Sequence, residues 1–424
     1  MKILDKEKFK QTITVPCLYL PYKSIQSASK LLKRYILKLQ NFLPITVVSK
    51  SVLDKLVKND LLFEEESKIA ILDPRKVNKF SDLEDDCLRL ENLGINEKFL
   101  FYTDINLGYD NWKADEILRS VIPPEFDAVS GYSLVGHIVH LNLREHLSDY
   151  KNLIGSVLLD KIKCARSVVN KIDTIDNTYR NFNMEVLCGD YEMVTQVKEN
   201  RCIFKFDFSK VYWNPRLSTE HERISEFLKK GDIFYDVFAG VGPFSIPAAK
   251  RGCITLANDL NPDSVKWLQT NILLNKLKDN ISVFNKDGHE FIKKEVKLHL
   301  LSLQPGNYSI HIAMNLPGHA TAFLPSFKNL FSEKEMQHIK LLPIPKVYVY
   351  TFSKGVSNPS EIALKAVEDA FGQKLETEIL DVFFVRDVAP NKKMMRVTLL
   401  LTDNILCNRK RDAETEREGK KLCV

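Results

Sequence analysis

The segment Asp236-Val237-Phe238-Ala239-Gly240-Val241-Gly242-Pro243-Phe244 constrains this chain more than any other. It follows an apolar strand pattern and precedes a helical one. Its glycines let the backbone turn tightly and approach a ligand with no Cβ in the way. The helix behind them points free N–H groups at that ligand. Such a turn belongs in a parallel α/β sheet, and the rest of the second half keeps the same rhythm. Strand patterns fall at 233–238, 254–258, 281–285, 310–314, 346–352, 378–385 and 394–401. Helical patterns separate the first six. The last two leave no room for a helix between them, which predicts an antiparallel hairpin.

The chemistry of the turn narrows its ligand. A dinucleotide site places a third glycine where this chain has Ser245, and Pro243 follows the second glycine directly. Asp236, just before the turn, would repel a pyrophosphate but accept from an amino group. That favours the amino-acid end of S-adenosyl-L-methionine over a nicotinamide dinucleotide. The next strand ends Asn258-Asp259-Leu260-Asn261-Pro262, with a carboxylate placed to accept ribose hydroxyls. The third ends Asn285-Lys286-Asp287-Gly288, where Asp287 is placed to accept from an adenine amino group. Asp259 and Asp287 each have a plainer reading as helix N-caps, but three such features at consecutive strand ends outweigh it. The predicted cofactor set is Asp236, Phe238, Gly240, Gly242, Asp259, Leu260, Asp287, Gly288, Asn315 and Pro317.

The fourth strand ends Asn315-Leu316-Pro317-Gly318. It is similar to the Asn/Asp-Pro-Pro-aromatic motif of nitrogen methyltransferases, with Gly318 where those enzymes carry the aromatic. Asn315 offers a carbonyl and an amide near the point of methyl transfer. Upstream lies Val211-Tyr212-Trp213-Asn214-Pro215-Arg216-Leu217-Ser218-Thr219-Glu220-His221-Glu222-Arg223. Ser218 or Thr219 is placed to cap a helix there. Together with the glycine turn, the NDLNP and Asn-Leu-Pro segments and NTYRNFNMEVLCG, this segment resembles the archaeal and eukaryotic tRNA (guanosine-37 N1)-methyltransferases over residues 112–401.

The resemblance implies a class I (Rossmann-like) S-adenosylmethionine methyltransferase domain at 201–424, behind two smaller α+β domains. These are a tRNA-recognition domain at 1–110 and a middle domain at 111–200. It implies methyl transfer to N1 of guanosine 37 in tRNA. N1 carries a proton at neutral pH, so a base is needed, and the family's glutamate falls on Glu220. The family's arginine falls on Arg180, which would stabilise charge on the guanine O6. Asn315 would hold the base edge and Tyr212 would line the pocket for a flipped-out base. His221 falls at a position near the cofactor where archaeal members carry arginine.

Bulk properties agree with a soluble RNA-binding enzyme. Residues 1–60 hold twelve Lys/Arg against four Asp/Glu, and residues 61–110 hold six against twelve. A basic segment suits a polyanion, although charge runs are more often simply solvated faces. The 24–39 stretch has helical spacing, and the acidic 81–91 stretch has the composition of a surface segment. Residues 131–143 alternate like a single strand carrying His137 and His140 on opposite faces; with His146 these are expected to be structural or RNA-facing rather than metal ligands. No apolar run of membrane-spanning length occurs. The eight cysteines form no CxxC pair, so reduced thiols in the cytoplasm, with the nucleus or mitochondrion as further sites, are expected. A monomer is expected. The competing readings are the aminocarboxypropyl transferase of wybutosine synthesis, a non-catalytic RNA-binding relative, and a protein or small-molecule methyltransferase.

Overall fold

The seven apolar windows of the second half join in one sheet. In the computed structural model, which describes residues 4–48, 66–126, 129, 131–172, 183–355 and 358–407, they are β1 (Ile233–Asp236), β2 (Ile254–Asn258), β3 (Ile281–Phe284), β4 (Ile310–Met314), β5 (Lys346–Lys354), β6 (Ile379–Ala389) and β7 (Lys392–Leu400). Their spatial order is β3-β2-β1-β4-β5-β7-β6. The first five run parallel, and β7 enters antiparallel between β5 and β6, as the hairpin spacing predicted. This is the class I methyltransferase sheet.

Parallel strands must be covered on both faces, and β1 shows why its sequence is nearly all apolar. Ile233, Tyr235 and Val237 pack with Ile312, Met314, Val349 and Val397. Phe234 packs on the other face with Ala313, Tyr348, Tyr350 and Ala248. The middle strands therefore cannot slip by one residue without exchanging two packed cores.

Contacts divide the chain into two units. One comprises Met1–Tyr132, Asn142–Val168 and Leu187–Gly189, and the other Ser133–Leu141, Val169–Val186 and Asp190–Val424. The first holds an antiparallel sheet in the order Ile45–Val47, Lys68–Ile71, Gln11–Leu20, Leu100–Leu107. The helical pattern expected over 24–39 stops early. The helix is Ile25–Leu32, and the Leu37 N–H then donates to Ile71 O at 2.9 Å. The acidic 81–91 stretch is not all surface: Leu83 and Leu90 are buried, and buried Asp86 accepts from Arg34 at 3.0 Å and Arg89 at 3.2 Å.

The single strand expected over 131–143 is corrected to two neighbouring strands, Tyr132–Val135 and Ile138–Leu141. Gly136 between them has φ +60°, and a Cβ there would lie 2.0 Å from Thr195 Oγ1 and 2.7 Å from Gln196 O. His137 thus stands at the turn, its ring nitrogens 3.2 Å from Thr195 Oγ1 and 3.1 Å from Glu192 O. His140 packs on Phe208, and burial lowers its pKa to about 4. No helix among the described residues is long and apolar enough to cross a membrane.

Candidate active site

The glycine turn leaves β1 where the strand order reverses, between β2 on one side and β4 on the other. Connections depart in opposite directions there and open a crevice at the strands' C-terminal ends. Asp236, which ends β1, is fully buried. Its Oδ2 accepts from Ser245 Oγ at 2.5 Å, whereas its Oδ1 has no partner. Burial, and then the nearby Asp259 carboxylate, push its pKa up to about 7. Gly242 holds the turn at φ +99°, and a Cβ on it would meet Leu268 Cδ1 at 2.6 Å. Any other residue would be strained there.

Asp259 ties the first strand tip to the second. Its Oδ2 accepts from the Gly240 N–H at 2.8 Å and its Oδ1 from the Asn261 N–H at 2.9 Å. It does not cap the following helix; Asn261 does, accepting from the Asp263 N–H at 3.0 Å, with Pro262 in the first turn. Leu260 stands exposed beside it. Asp287 does fill the capping role, accepting from the His289 N–H at 2.8 Å. Gly288 behind it is buried, and a Cβ there would lie 2.9 Å from the Phe323 ring and 3.0 Å from that of Phe238. Those two rings meet edge to face at 4.9 Å, and His289 stacks on Phe323 at 4.3 Å. The third tip therefore ends at an aromatic slot.

At the fourth tip the Leu316 carbonyl accepts from the His319 and Ala320 N–H groups at 2.8 and 2.7 Å, closing a tight turn around Pro317. The buried Asn315 Oδ1 beside it has no partner. Two buried acceptors without donors, at adjacent strand tips, fit a ligand that brings N–H groups and positive charge. The residues present therefore suit S-adenosyl-L-methionine, and a pyrophosphate would meet a carboxylate.

Glu220 lies in the helix Ser218–Phe227 and is buried. That helix does not start on a Ser218 or Thr219 cap. Asn214 caps the preceding turn Pro215–Leu217, and the helix runs on from it. Glu220 Oε1 accepts from Arg396 Nη1 at 2.6 Å and from the Tyr350 hydroxyl at 2.9 Å. Its Oε2 accepts from Arg223 Nη1. Arg396 also donates to Asp381 at 3.2 Å. Both guanidinium groups lie on the Phe383 ring, at 4.3 Å for Arg223 and 4.8 Å for Arg396. Burial, and then the Glu220 charge, raise the Tyr350 pKa well above its usual value, so its hydroxyl stays a donor.

His221, the next residue, turns to the glycine turn. Its Nδ1 lies 2.5 Å from Glu199 Oε1, its Nε2 is buried without a partner, and its ring meets Phe244 edge-on at 4.7 Å. Phe244 in turn lies 5.9 Å from the Tyr350 ring. A chain of rings thus links Glu220 to the turn. Tyr212 is half exposed at the surface, its hydroxyl accepting from Asn214 Nδ2 at 3.3 Å. Arg180 lies outside the described residues.

Sequence reading missed Tyr350, Arg396, Arg223 and Glu199. A signal existed for one of them. Arg396 is a lone charge inside the apolar run Met394-Met395-Arg396-Val397, and a charge in a central strand needs a buried partner.

Residues 195–342 match the model of the TRM5/TYW2 methyltransferase domain, and residues 114–192 match that of the TYW2 N-terminal domain. A tRNA (guanine(37)-N(1))-methyltransferase of Aedes aegypti is 47% identical, over 96% of this chain and 69% of that protein. One from Drosophila melanogaster is 44% identical over 99% and 90%, and one from Xenopus tropicalis 43% over 97% and 81%. The crystal structure of Trm5b from Pyrococcus abyssi superposes with a TM-score of 0.59 at 21% identity, over 91% of this chain and 99% of that one. A complex of aTrm5 with tRNALeu gives 0.58 at 23% identity over the same shares. Both share this fold.

Proposed function

Because the chain belongs to the tRNA (guanine(37)-N(1))-methyltransferase family, we propose a division of labour among its residues. The reaction is transfer of a methyl group from S-adenosyl-L-methionine to N1 of guanosine 37 in tRNA. When bound, S-adenosyl-L-methionine supplies an electrophilic methyl group on a cationic sulfonium. Asp236 and Asn315 would accept from its amino-acid end, and the slot of Phe238, Gly288 and Phe323 would take its flat base. Asp259 holds the glycine turn, with Leu260, Asp287 and Pro317 at the rim and His221 behind it.

Glu220 is the proposed base. What carries this assignment is the unequal hold on its two oxygens. Oε1 is fixed by two buried donors from the sheet, while Oε2 has only Arg223, a third exposed. Withdrawal of Arg223 frees one oxygen in a fixed direction, ready to take the N1 proton as the methyl group is captured. Tyr212 would line the space for the flipped base. Arg180 would meet the charge that develops on O6, an assignment that rests on the resemblance of its segment.

Among the rivals, relatives spanning nearly the whole chain carry the methyltransferase name, which favours methyl transfer over aminocarboxypropyl transfer. Methylation of a tRNA transcript with guanosine at position 37 is expected, and of one with adenosine there is not. Equal labelling of both would overturn the reading, and so would a product mass above one added methyl. We further assign a monomer acting in the cytoplasm, with nuclear or mitochondrial pools; sedimentation and imaging of a tagged chain test these assignments.

A further inference from the structure

Beyond the strand tips, the same edge of the sheet carries a second concave feature. The start of β7, the end of β6 and the first turn of the helix Pro359–Phe371 line a groove of about 610 Å³. Arg216, Arg386 and Lys393 line it, with Asp387 as its one carboxylate; Arg386 Nε donates to the Asp387 carbonyl at 3.0 Å, and the Lys393 ammonium lies 5.6 Å from the centre of the Phe384 ring. Arg386 is half-buried, and its pKa is lowered, first by burial and then by the like charge of Arg216; Tyr212 and Asp387 act the other way. Among the described residues, Asp387 is the acid that acts on Arg386, whose side chain bonds that residue's carbonyl rather than its carboxylate. Like charges gathered in a concavity, with a single acid between them, repel one another until an anion arrives.

The groove is built from segments that adjoin the Glu220 network. Arg216 lies four residues before Glu220 on the same turn-and-helix segment. Arg386 and Lys393 flank the stretch of β6 and β7 that supplies Phe383 and Arg396 to the Glu220 network. Tyr212 acts electrostatically on Arg386. A polyanion threaded here would place a neighbouring nucleotide at Tyr212.

We propose that this groove binds the phosphodiester backbone of the RNA strand that carries the target guanosine, with Arg386 and Lys393 each meeting a phosphate. The proposal rests on the functional reading above and extends it to a backbone subsite. Each single-stranded phosphate neutralised contributes about −0.7 to the slope of log affinity against log salt.

The test compares wild type with the double variant R386Q/K393Q in binding an anticodon stem-loop RNA across a salt series. The expected result is a slope shallower by about 1.4 and an affinity about tenfold weaker at low salt. S-adenosylhomocysteine binding should be unchanged. KM for tRNA should rise far more than kcat falls. The charge-keeping pair R386K/K393R should restore the slope, separating charge from shape. Lys374→Gln, beyond the far end of the helix whose first turn lines the groove, should leave the slope as it is. A double variant with the wild-type slope overturns the proposal. If wild type binds the stem-loop yet never methylates guanosine 37, the functional reading fails while the slope still decides on the groove.

Discussion

At the tips of β1 and β4, two buried acceptors, Asp236 Oδ1 and Asn315 Oδ1, have no donor. At Glu220, under the other half of the same sheet, both carboxylate oxygens are already taken by Arg396, Tyr350 and Arg223. The difference follows from what each region must do. An unmet buried acceptor costs about 1–3 kcal/mol, and a ligand bearing N–H groups relieves that cost on arrival. The proposed base is instead held in a fixed direction by its partners until a substrate arrives. The first region is built open, and the second closed.

The sharpest way to break this contrast is Glu220→Gln. As a base, Glu220 should contribute roughly 10²–10⁴-fold, so single-turnover methylation should fall by that much while cofactor affinity holds. A folded variant with undiminished turnover would remove the base. Arg396→Met comes next. It leaves a buried carboxylate short of its main partner, with an expected loss of about 3–5 kcal/mol on breaking such a pair. Arg223→Met, at the more exposed end, should cost under about 1 kcal/mol and leave Oε2 accessible. Similar losses from both, measured by chemical denaturation, would contradict the unequal hold on the two oxygens.

On the open side, Asp236 has a pKa raised to about 7. A cationic amino group favours the ionised form, so ligand binding draws the pKa down. Affinity for S-adenosylhomocysteine should therefore rise as pH climbs through 7 and level off above it. Asp236→Asn should bind about tenfold more weakly, with a flat profile. A variant that keeps the wild-type pH dependence in calorimetry would place the titration elsewhere. The smallest effect is expected from Gly288→Ala, whose Cβ would press on Phe323 and Phe238. Stability should fall by about 1 kcal/mol and cofactor affinity by a few fold. No change in either melting temperature or titration would show the slot to be wider than the rings suggest.

Much of the sheet was legible because its signals are local. Each of the seven apolar windows became a strand, two with the same bounds and the rest shifted by one to four residues at their ends. The glycine turn and the strand-tip residues are local too, and Asp236, Gly240, Asp259 and Gly288 lie around that turn. What failed was alternation read through a reversal. Residues 131–143 kept their polar–apolar pattern across Gly136, and periodicity carries no mark of a turn. The closed half of the site was illegible for a different reason. Tyr350 and Arg396 reach Glu220 across 130 and 176 residues of sequence, and only strand order brings them there. Asp259 shows a third case: it stands at its strand tip, but its oxygens accept from the protein's own Gly240 and Asn261 N–H groups.

The place of Arg396 has a consequence for how the molecule comes into being. β7 follows all the other described strands in the chain, yet it is inserted between β5 and β6. During synthesis on the ribosome, the cofactor crevice at β1–β4 can take shape while β7 is still unmade. For that interval Glu220 has a neighbour in Arg223 but no counter-charge from the sheet. If Glu220 is the base, the newborn chain would have the tips of β1 to β4 before its base is anchored by the last strand.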